Sequence, residues 1–472
     1  MTTVRVVVDA VPPPWQQTIV AELRAVADVR LEPSARAPGT RSHAVALYAR
    51  LDRWEPPAGE SAAGAEEGPA DAVVDLTGAG GHVSDVPVLV PEPARLDEEE
   101  LLGRLGRGER TLRLAVRRVH PDGSAVVAAE STIALVRLSA RRSSARAAPR
   151  LAALMVRAVE GLGGHDLPAA AAASAEAPAR PTTGGIVRLL GRAAVAAVKV
   201  AVSQVDWRVA HGTTSSPDPF AAPSSLRALS APAGHFYADP FVVSTPQGAH
   251  VFVEDFDHAA GYASIAVVDL TSGAATTILD TGKHLSYPFV FADDGTWYVV
   301  PESAAAREVV LHRCERFPDR WTRDTVLLEG VEAYDGTLLR HEGRWWLFFA
   351  AGTRGAPDDE LHVWFADALR GPYAPHPLNP VVSTVVGARP AGRIAVHDGR
   401  LLRPGQDGSR EYGGAIVVNE IDELTPTAYR EHLVARIDGA VVGAPGTHTW
   451  NRAGDVVVVD TKHRAVRLPR RR

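Results

Sequence analysis

The sequence predicts an α/β N-terminal domain followed by an all-β, five-bladed β-propeller. Three observations lead to this prediction. All eleven Phe and seven of the nine Trp lie at position 207 or later, so the two regions differ in composition. Five segments of the second region repeat one strand–turn–strand pattern. The first region instead alternates short apolar strands with helical patterns.

The bulk composition is that of a soluble globular protein, and 472 residues suggest about two or three domains. A net charge of −6 gives no reason to expect a nucleic-acid partner. The single cysteine, Cys314, excludes an intramolecular disulfide and fits a reducing compartment. No secretory pattern is visible at the N-terminus, so we expect a cytoplasmic protein without a transmembrane segment.

The first domain is predicted over residues 1–165 as a parallel sheet that continues into antiparallel strands. Its strand and helix patterns lie at Val4–Val8, Trp15–Val26, Ala72–Leu76, Val86–Val90 and Thr111–Leu138. The glycine loop Gly78–Gly81 does not follow the first strand and lacks the third glycine of the dinucleotide fingerprint. We therefore expect a plain strand-to-helix turn there.

Residues 166–206 are predicted to connect the two domains. The stretch from Ala169 to Gly185 consists mainly of small residues and proline, which cannot build a core. The apolar stretch from Ile186 to Val205 is interrupted by Arg188, Arg192 and Lys199. A membrane span needs about 20 nearly uncharged residues, so we expect an amphipathic helix that packs on its own protein.

The propeller is predicted over residues 207–472 from five hairpins with recurring turn glycines. Gly248, Gly295, Gly343, Gly399 and Gly454 are 47, 48, 56 and 55 residues apart, and each interval holds further strand-like runs. A period of about 40–50 residues with several strands per repeat is typical of propeller blades. The segments lack the helices or short regular rungs of a solenoid.

In each blade, the residue before the first strand and the residue after the second should lie on the same rim. Because the blades surround one axis, these residues converge on one funnel although they are distant in sequence. The converging residues are predicted to be Asp239, Glu254, Asp255, Tyr287, Glu302, Asp335, Arg389, Arg393, Gln406, Asp407 and His448.

Carboxylates that share a concave site repel one another, so at least one pKa should rise. This separation suits glycosyl chemistry, in which one carboxyl acts as acid and another as base or nucleophile. Aromatic neighbours such as Tyr237 and Trp450 suit stacking on a sugar ring. Arg389 and Arg393 suit a carboxylate or phosphate group of the ligand. The alternative is a structural network in which these charges pair and close the channel.

Six motifs resemble, in the same order, the propeller module of plant glucosamine inositolphosphorylceramide transferases and its bacterial relatives. They are HFYADPF (235–241), HLSYPFVF (284–291), VPES (300–303), ARPAGR (388–393), LLRPGQD (401–407) and GTHTW (446–450). The likeness covers roughly Trp207 to Asp460. That module is similar in turn to five-bladed glycosidases of the arabinanase, xylosidase and invertase types.

This resemblance implies catalytic roles for three carboxyls. Asp239 matches the glycosidase base or nucleophile, and Asp335 matches the second Asp, which orients the first or tunes its pKa. Gly336 stands where the glycosidases usually have proline. Glu302 is the expected acid, although the glycosidases place their Glu one blade later. The expected substrate-binding residues are Tyr237, Glu254, His284, Tyr287, Arg389, Arg393, Arg403, Gln406, Asp407 and His448.

The N-terminal region resembles a degenerate formyltransferase-type domain. The likeness lies in ADAVVDLTG (70–78) and in the block Thr111–Leu138. Formyl transfer in that family rests on an Asn-x-His motif, and no Asn precedes Lys199. The resemblance therefore implies a domain without that activity, which leaves docking of a protein partner as a role.

Two functions stay open at this point. The first is a carbohydrate-active enzyme that cleaves or transfers a glycosidic bond of a sugar conjugate in cell-surface glycan or specialised metabolite biosynthesis. The second is a non-catalytic sugar-binding or scaffolding module, because the plant relatives are credited with glycosyl transfer in a separate C-terminal domain. A lone histidine such as His448 is a weak metal signal, so no metal or cofactor is expected.

Overall fold

We describe the protein from a computed structural model. The structure describes residues 2–10, 12–34, 69–77, 84–163, 179–351 and 358–466. The chain divides into two compact units, residues 1–199 and 200–472. The predicted glycine loop, Gly78–Gly81, and the first part of the predicted linker lie outside the described residues.

The first unit contains a six-stranded sheet with the order β2-β1-β3-β4-β5-β6. Its strands are β1 (Thr3–Asp9), β2 (Asp28–Ser34), β3 (Ala72–Asp75), β4 (Val88–Glu92), β5 (Thr111–Val119) and β6 (Ala125–Ala134). The first four strands pair in parallel, and β5 and β6 add antiparallel pairs. This confirms the predicted α/β content. The sequence prediction omits β2, because an edge strand with Arg30, Glu32 and Pro33 lacks an apolar run.

In the described ranges, four α-helices accompany this sheet: α1 (Pro14–Arg24), α2 (Glu98–Arg107), α3 (Ala140–Glu160) and α4 (Thr183–Val202). Leu23 of α1 and Leu151 of α3 are fully buried in one core, against which Ile186 and Leu189 of α4 also pack. The predicted amphipathic helix therefore packs on the first unit. The division between the units falls within α4, inside the predicted connecting segment. None of the helices in the described ranges combines the length and apolar character that a membrane span requires.

The second unit is a five-bladed β-propeller, as predicted. The strands β7 (Ser203–Thr213) and β8 (Arg227–Ala228) come first and join the last blade. Blades one and two contain β9 (His235–Thr245), β10 (Gly248–Asp257), β11 (Tyr262–Asp269), β12 (Ala275–Leu279), β13 (Ser286–Asp293), β14 (Thr296–Glu302), β15 (Glu308–Arg316) and β16 (Arg320–Glu329). Blade three contains β17 (Ala333–His341), β18 (Arg344–Ala351), β19 (Glu360–Ala366), β20 (Ala374–Pro375) and β21 (Val382–Ser383). Blades four and five contain β22 (Val386–Pro390), β23 (Ala395–His397), β24 (Arg400–Asp407), β25 (Ala415–Leu424), β26 (Tyr429–Asp438), β27 (Trp450–Ala453) and β28 (Val456–Val466).

Blade five closes the ring with strands from both ends of the unit. The C-terminal strand β28 pairs antiparallel with β7 along its whole length, from Val456 opposite Thr213 to Val466 opposite Ser203. The predicted start of the propeller, Trp207, therefore lies in the middle of a strand. The pairing hydrogen-bonds residues about 250 positions apart, so the ring closes only when both ends of the unit are present.

The innermost strands of blades one to three share an unusual backbone feature near their N-terminal ends. Asp239, Tyr287 and Asp335 have positive φ angles of 47°, 42° and 55°. Each lies at a register shift in its hairpin, which is the mark of a β-bulge. A left-handed conformation costs a non-glycine residue about 1–2 kcal/mol. Such strain concentrates at functional sites, and the bulges turn these three side chains towards the channel.

Candidate functional site

Carboxyl groups from three blades lie together at one end of the channel, two of them, Asp239 and Asp335, at the bulges. Asp239 belongs to blade one, Glu302 to blade two and Asp335 to blade three. All three are buried, as is Glu254, which lies in β10, the second strand of blade one's hairpin. We refer to these four residues as the carboxyl cluster.

Arg389 holds one side of the carboxyl cluster. Its Nε donates to Asp335 Oδ2 at 2.6 Å, and its Nη1 donates to Asp358 Oδ1 at 2.9 Å. Its Nη2 lies 3.7 Å from Glu302 Oε2. Gln406 Nε2 also donates to Asp335 Oδ2, at 2.9 Å. Asp335 is therefore fixed by two side chains, and charge-assisted bonds of this kind are the stronger ones in proteins.

His448 holds the other side, between two buried carboxylates. Its Nε2 lies 3.2 Å from Asp239 Oδ1, and its Nδ1 lies 2.8 Å from Asp460 Oδ2. Asp460 Oδ1 also accepts the backbone N–H groups of His448 and Thr449, at 2.8 and 3.1 Å. Burial alone would lower the pKa of His448, but the charges of Asp460 and Asp239 raise it to about 10. The imidazole is therefore charged near neutral pH.

The pKa values of the carboxyl cluster shift in opposite directions. Burial would raise the pKa of Asp239, but the His448 charge and a 2.6 Å bond from Thr449 Oγ1 lower it to about 2. Burial, followed by the charge of Asp239, raises the pKa of Glu254 well above its usual value. Burial and the charge of Asp335 do the same for Glu302. One carboxyl thus ionises more readily than usual, and two of its neighbours ionise less readily.

Asp239, His448 and Asp460 are close enough to be considered as metal ligands, because their ligand atoms lie within 4.8 Å of one another. The two ring nitrogens of His448, however, face different carboxylates. One ion cannot bind both nitrogens of the same ring, so a cation would be ligated by only part of the group. The arrangement fits a charged imidazole between two carboxylates better than a metal centre.

Aromatic side chains lie beside the charged groups of the cluster. The ring of Tyr412, which is 43% exposed, lies 5.3 Å from the Arg389 guanidinium and 5.3 Å from the His448 ring. Trp207 packs on His448 with ring centroids 4.0 Å apart, and Tyr334 lies 5.5 Å from the Arg389 guanidinium. This edge of the site combines a guanidinium with aromatic faces, which suits a polar ring such as a sugar.

Comparison with known proteins gives the family. Residues 203–459, more than half of the chain, match the family model described as glucosamine inositolphosphorylceramide transferase 1, N-terminal. The chain belongs to this family. The match covers nearly all of the propeller and confirms the resemblance predicted from its six motifs.

Curated members of the glucosamine inositolphosphorylceramide transferase 1 group align with the same region. The protein of that name from Oryza sativa subsp. japonica is 33% identical over 226 residues, which is 46% of this chain and 30% of the rice protein. The Arabidopsis thaliana protein is 31% identical over 254 residues, 52% of this chain and 33% of that protein. The alignments thus span about a third of the length of these curated relatives.

Solved structures with a related architecture include a thermostable family-43 glycoside hydrolase. It is 14% identical with a TM-score of 0.34, covering 43% of this chain and 76% of that chain. An exo-beta-1,3-galactanase from Clostridium thermocellum is 16% identical with a TM-score of 0.35, covering 43% and 50% of the two chains. These likenesses carry no argument about the chemistry of the site.

Two residues of the LLRPGQD motif in this family member bond to the outer strand of blade four. Arg403 donates to both carboxylate oxygens of Glu431, at 2.8 and 2.6 Å, and Tyr429 bonds to the same carboxylate. Asp407 pairs with Arg436. Both were predicted to bind substrate, but the structure engages them in ion pairs with β26. Their neighbour Gln406 does reach the carboxyl cluster.

Three further predicted residues lie apart from the carboxylate oxygens. Tyr237 is buried in the core between blades one and five. The Tyr287 hydroxyl accepts the Gly392 N–H at 2.7 Å and shares a 2.9 Å hydrogen bond with Thr337. Arg393 Nη2 donates to the Val290 carbonyl at 2.5 Å instead of joining Arg389.

His284 lies at the margin of the site, with Nε2 3.8 Å from Glu254 Oε1. The sequence prediction omits Asp460, Thr449 and Tyr412. In the sequence, Asp460 follows the second strand-like run of the fifth hairpin. Glu254 and Glu302 were predicted from the same position in their hairpins, so this signal could also have identified Asp460. Tyr412 lies outside the hairpin repeat, and no sequence signal identifies it.

Proposed function

We propose that the propeller funnel binds a sugar conjugate and cleaves or transfers its glycosidic bond. The observation that supports this proposal is the division of the carboxyl cluster. Asp239 has a pKa of about 2, whereas burial raises the pKa of Glu254 and Glu302 well above the usual value. An ionised carboxylate beside a protonated carboxyl is the pair that glycosyl chemistry uses.

The proposed roles follow from the contacts of each carboxyl. Glu302 donates its proton to the leaving oxygen as the bond between that oxygen and the anomeric carbon breaks. Asp239 supplies the other half of the reaction, either by attacking the anomeric carbon or by removing a proton from the attacking water or hydroxyl. Asp335, fixed by Arg389 and Gln406, positions Glu302 through its backbone N–H, which donates to Glu302 Oε2 at 3.1 Å.

The substrate class is suggested by the site and by the relatives together. Arg389, Tyr334 and Tyr412 offer a cation and aromatic faces to a polar ring. The curated relatives are named for a transfer that joins glucosamine and inositolphosphorylceramide. We therefore propose an amino-sugar conjugate, used in the assembly of a cell-surface glycan or specialised metabolite, as the substrate.

The test is turnover of a 4-nitrophenyl glucosaminide by the full chain and by Asp239→Asn and Glu302→Gln. Each variant should lose about 100-fold or more in kcat, the usual contribution of a positioned acid or base. Two matched controls make the same changes in exposed hairpin turns, Asp294→Asn and Glu342→Gln, and should keep wild-type turnover. Full turnover by Asp239→Asn would contradict the proposed roles.

A second function, sugar binding without catalysis, is favoured by a different observation. All four members of the carboxyl cluster are buried, and Asp335 is tied to Arg389 and Gln406. A binding module would show no turnover, but glucosamine binding measured by calorimetry should weaken in Arg389→Met. The exposed control Arg430→Met should bind as the wild type does. Turnover that depends on Asp239 and Glu302 would exclude this second function.

A further inference from the structure

A second cavity lies at the opposite end of the propeller channel from the carboxyl cluster. Asp239 and Asp335 lie near the beginnings of their innermost strands, whereas His397 and Gly454 of this cavity lie at the far ends of two inner hairpins. The cavity has a volume of about 310 Å³. It is lined by Pro217, Pro219, Phe220, Arg393, Ala395, Val396, His397, Trp450, Asn451, Arg452 and Gly454.

The lining of this cavity is basic, and none of its described residues is acidic. Arg452 donates from Nε to the Gly454 carbonyl and from Nη1 to the Asp218 carbonyl, both at 2.7 Å. Neutral carbonyl oxygens therefore accept these hydrogen bonds, and in the part of the chain that the structure describes no carboxylate pairs with Arg452. Arg389, in contrast, contacts three acidic side chains.

Arg393 extends from this cavity to β13, the innermost strand of blade two. Its guanidinium carbon lies 5.0 Å from the centre of the Phe289 ring, and Nη2 donates to the Val290 carbonyl. Among the described residues, no carboxylate pairs with it. Burial lowers its pKa to about 10, so the group still carries its charge at neutral pH. A partly buried cation without a counter-ion is costly, and a ligand that supplies a negative charge would offset this cost.

We propose that this cavity is a binding site for a small oxyanion, a phosphate or carboxylate group of an organic ligand. The planar guanidinium of Arg393 can bind two oxygens of such a group side by side. Arg452 adds a second guanidinium to the same cavity, and His397 adds a ring whose Nε2 lies 3.5 Å from Asp398 Oδ2. The ring faces of Phe220 and Pro219 leave room for an apolar or ring-shaped body behind the anionic group, since small-molecule sites occupy about 300–1,000 Å³. The site is independent of the funnel chemistry.

The first experiment measures binding of inorganic phosphate and of acetate to the full chain by calorimetry. Chloride keeps the ionic strength constant, so that general charge screening does not change between titration points. The variant Arg393→Met removes the charge and keeps much of the side-chain length. It should lose about tenfold or more in affinity for the preferred anion, the range expected for a charge-assisted hydrogen bond. Comparison of phosphate with acetate identifies which oxyanion the site prefers.

A matched control places the same substitution on the propeller surface. Arg340→Met changes an exposed arginine that contacts Asp293, and it should bind the anion as tightly as the wild type does. Equal affinity of the wild type and Arg393→Met for both anions would overturn the proposal. So would the absence of saturable binding of either anion.

A second variant keeps the proposal testable if Arg393→Met fails to fold. Ala395→Glu places a carboxylate in the lining of the cavity, where it should pair with Arg393 and compete with the ligand. This variant should fold, lose phosphate binding and melt at a temperature at least equal to that of the wild type. The proposal that this cavity binds an anion would be contradicted if Ala395→Glu kept its phosphate affinity. A clear loss of thermal stability in Ala395→Glu would also contradict it.

Discussion

At the scale of single residues, His448 is a group whose positive charge the fold stabilises. Its two ring nitrogens face Asp239 and Asp460, and all three side chains are buried. Without the positive ring, two carboxylates would share a buried space without compensation. The imidazolium therefore stabilises both the blade that carries Asp239 and the closing blade that carries Asp460.

The raised pKa of His448 predicts a specific pH dependence of stability. Because the folded pKa of about 10 exceeds the unfolded value near 6.5, the stabilisation is complete below about pH 6.5 and is lost as the pH rises towards 10. The contribution is at most about 5 kcal/mol, at about 1.4 kcal/mol per pKa unit. The free energy of unfolding of the wild type should exceed that of His448→Gln most at pH 6, and the gap should narrow by pH 10.

The control for this measurement is His432→Gln, which changes a half-exposed histidine next to Asp422. Its free energy of unfolding should stay within about 1 kcal/mol of the wild type at every pH, as for other exposed ion pairs. A gap between the wild type and His448→Gln that stays constant from pH 6 to 10 would contradict a charged His448.

The positions of Arg389 and Arg393 show that a sequence motif does not specify which end of the channel each of its side chains faces. They lie four positions apart in ARPAGR, and both were predicted to face the funnel. Gly392 between them has a φ of +133°, and a side chain there would lie 2.1 Å from the Trp450 carbonyl oxygen. Only glycine fits at position 392. The next residue, Arg393, lines the cavity at the other end of the channel from the carboxyl cluster. The motif therefore contributes one arginine to each end of the channel.

At the scale of secondary structure, β7 determines whether the propeller is a closed ring. It lies between β28 and β8 in blade five, so both of its edges are hydrogen-bonded. Ala210 pairs with Val459 on one side and with Ala228 on the other. A proline in such a central strand removes a donor and distorts the ladder.

We therefore predict that Ala210→Pro destabilises the propeller by about 3 kcal/mol or more, measured by chemical denaturation. The matched control Ser215→Pro introduces the same residue at an exposed loop position and should change stability by less than about 1 kcal/mol. Equal stability of the two variants would mean that β7 is not needed to close the ring.

The sequence predicted most elements from local patterns. The turn glycines identified the five hairpins, and in blades two to four they follow Asp294, Glu342 and Asp398, whose positive φ angles form the type I′ turns favoured in hairpins. Closure by β7 was not predicted. Its pairing partner lies at the other end of the unit, and no local pattern specifies which distant strand completes a sheet.

At the scale of the whole molecule, the ring brings groups from separate blades into one electrostatic network. Asp239 and Asp335 are 96 positions apart in sequence, yet the charge of Arg389 lowers the pKa of both. Burial raises the pKa of Asp335, and the charge of Asp239 raises it further. The two carboxyl groups are therefore expected to influence each other's contribution to stability.

A double-mutant cycle tests this coupling. Asp239→Asn and Asp335→Asn together should change the free energy of unfolding by an amount that differs from the sum of the single changes by about 0.5 kcal/mol or more. The control cycle combines Asp239→Asn with Asp294→Asn, which lies in an exposed turn, and should be additive within about 0.5 kcal/mol. Additivity in the first cycle would mean that the two blades do not share a site.

The sequence by itself determined the hairpins, their turns, the α/β character of the first unit and the acidic residues that face the propeller axis. These features depend on interactions between residues close in the chain or on a repeat that copies one local pattern. Only the tertiary structure decided which charges meet, including the pairing of Arg403 with Glu431, of His448 with Asp460, and the separation of Arg393 from Arg389. Those choices depend on packing between blades, because a charge pairs with whichever opposite charge the closed ring places beside it.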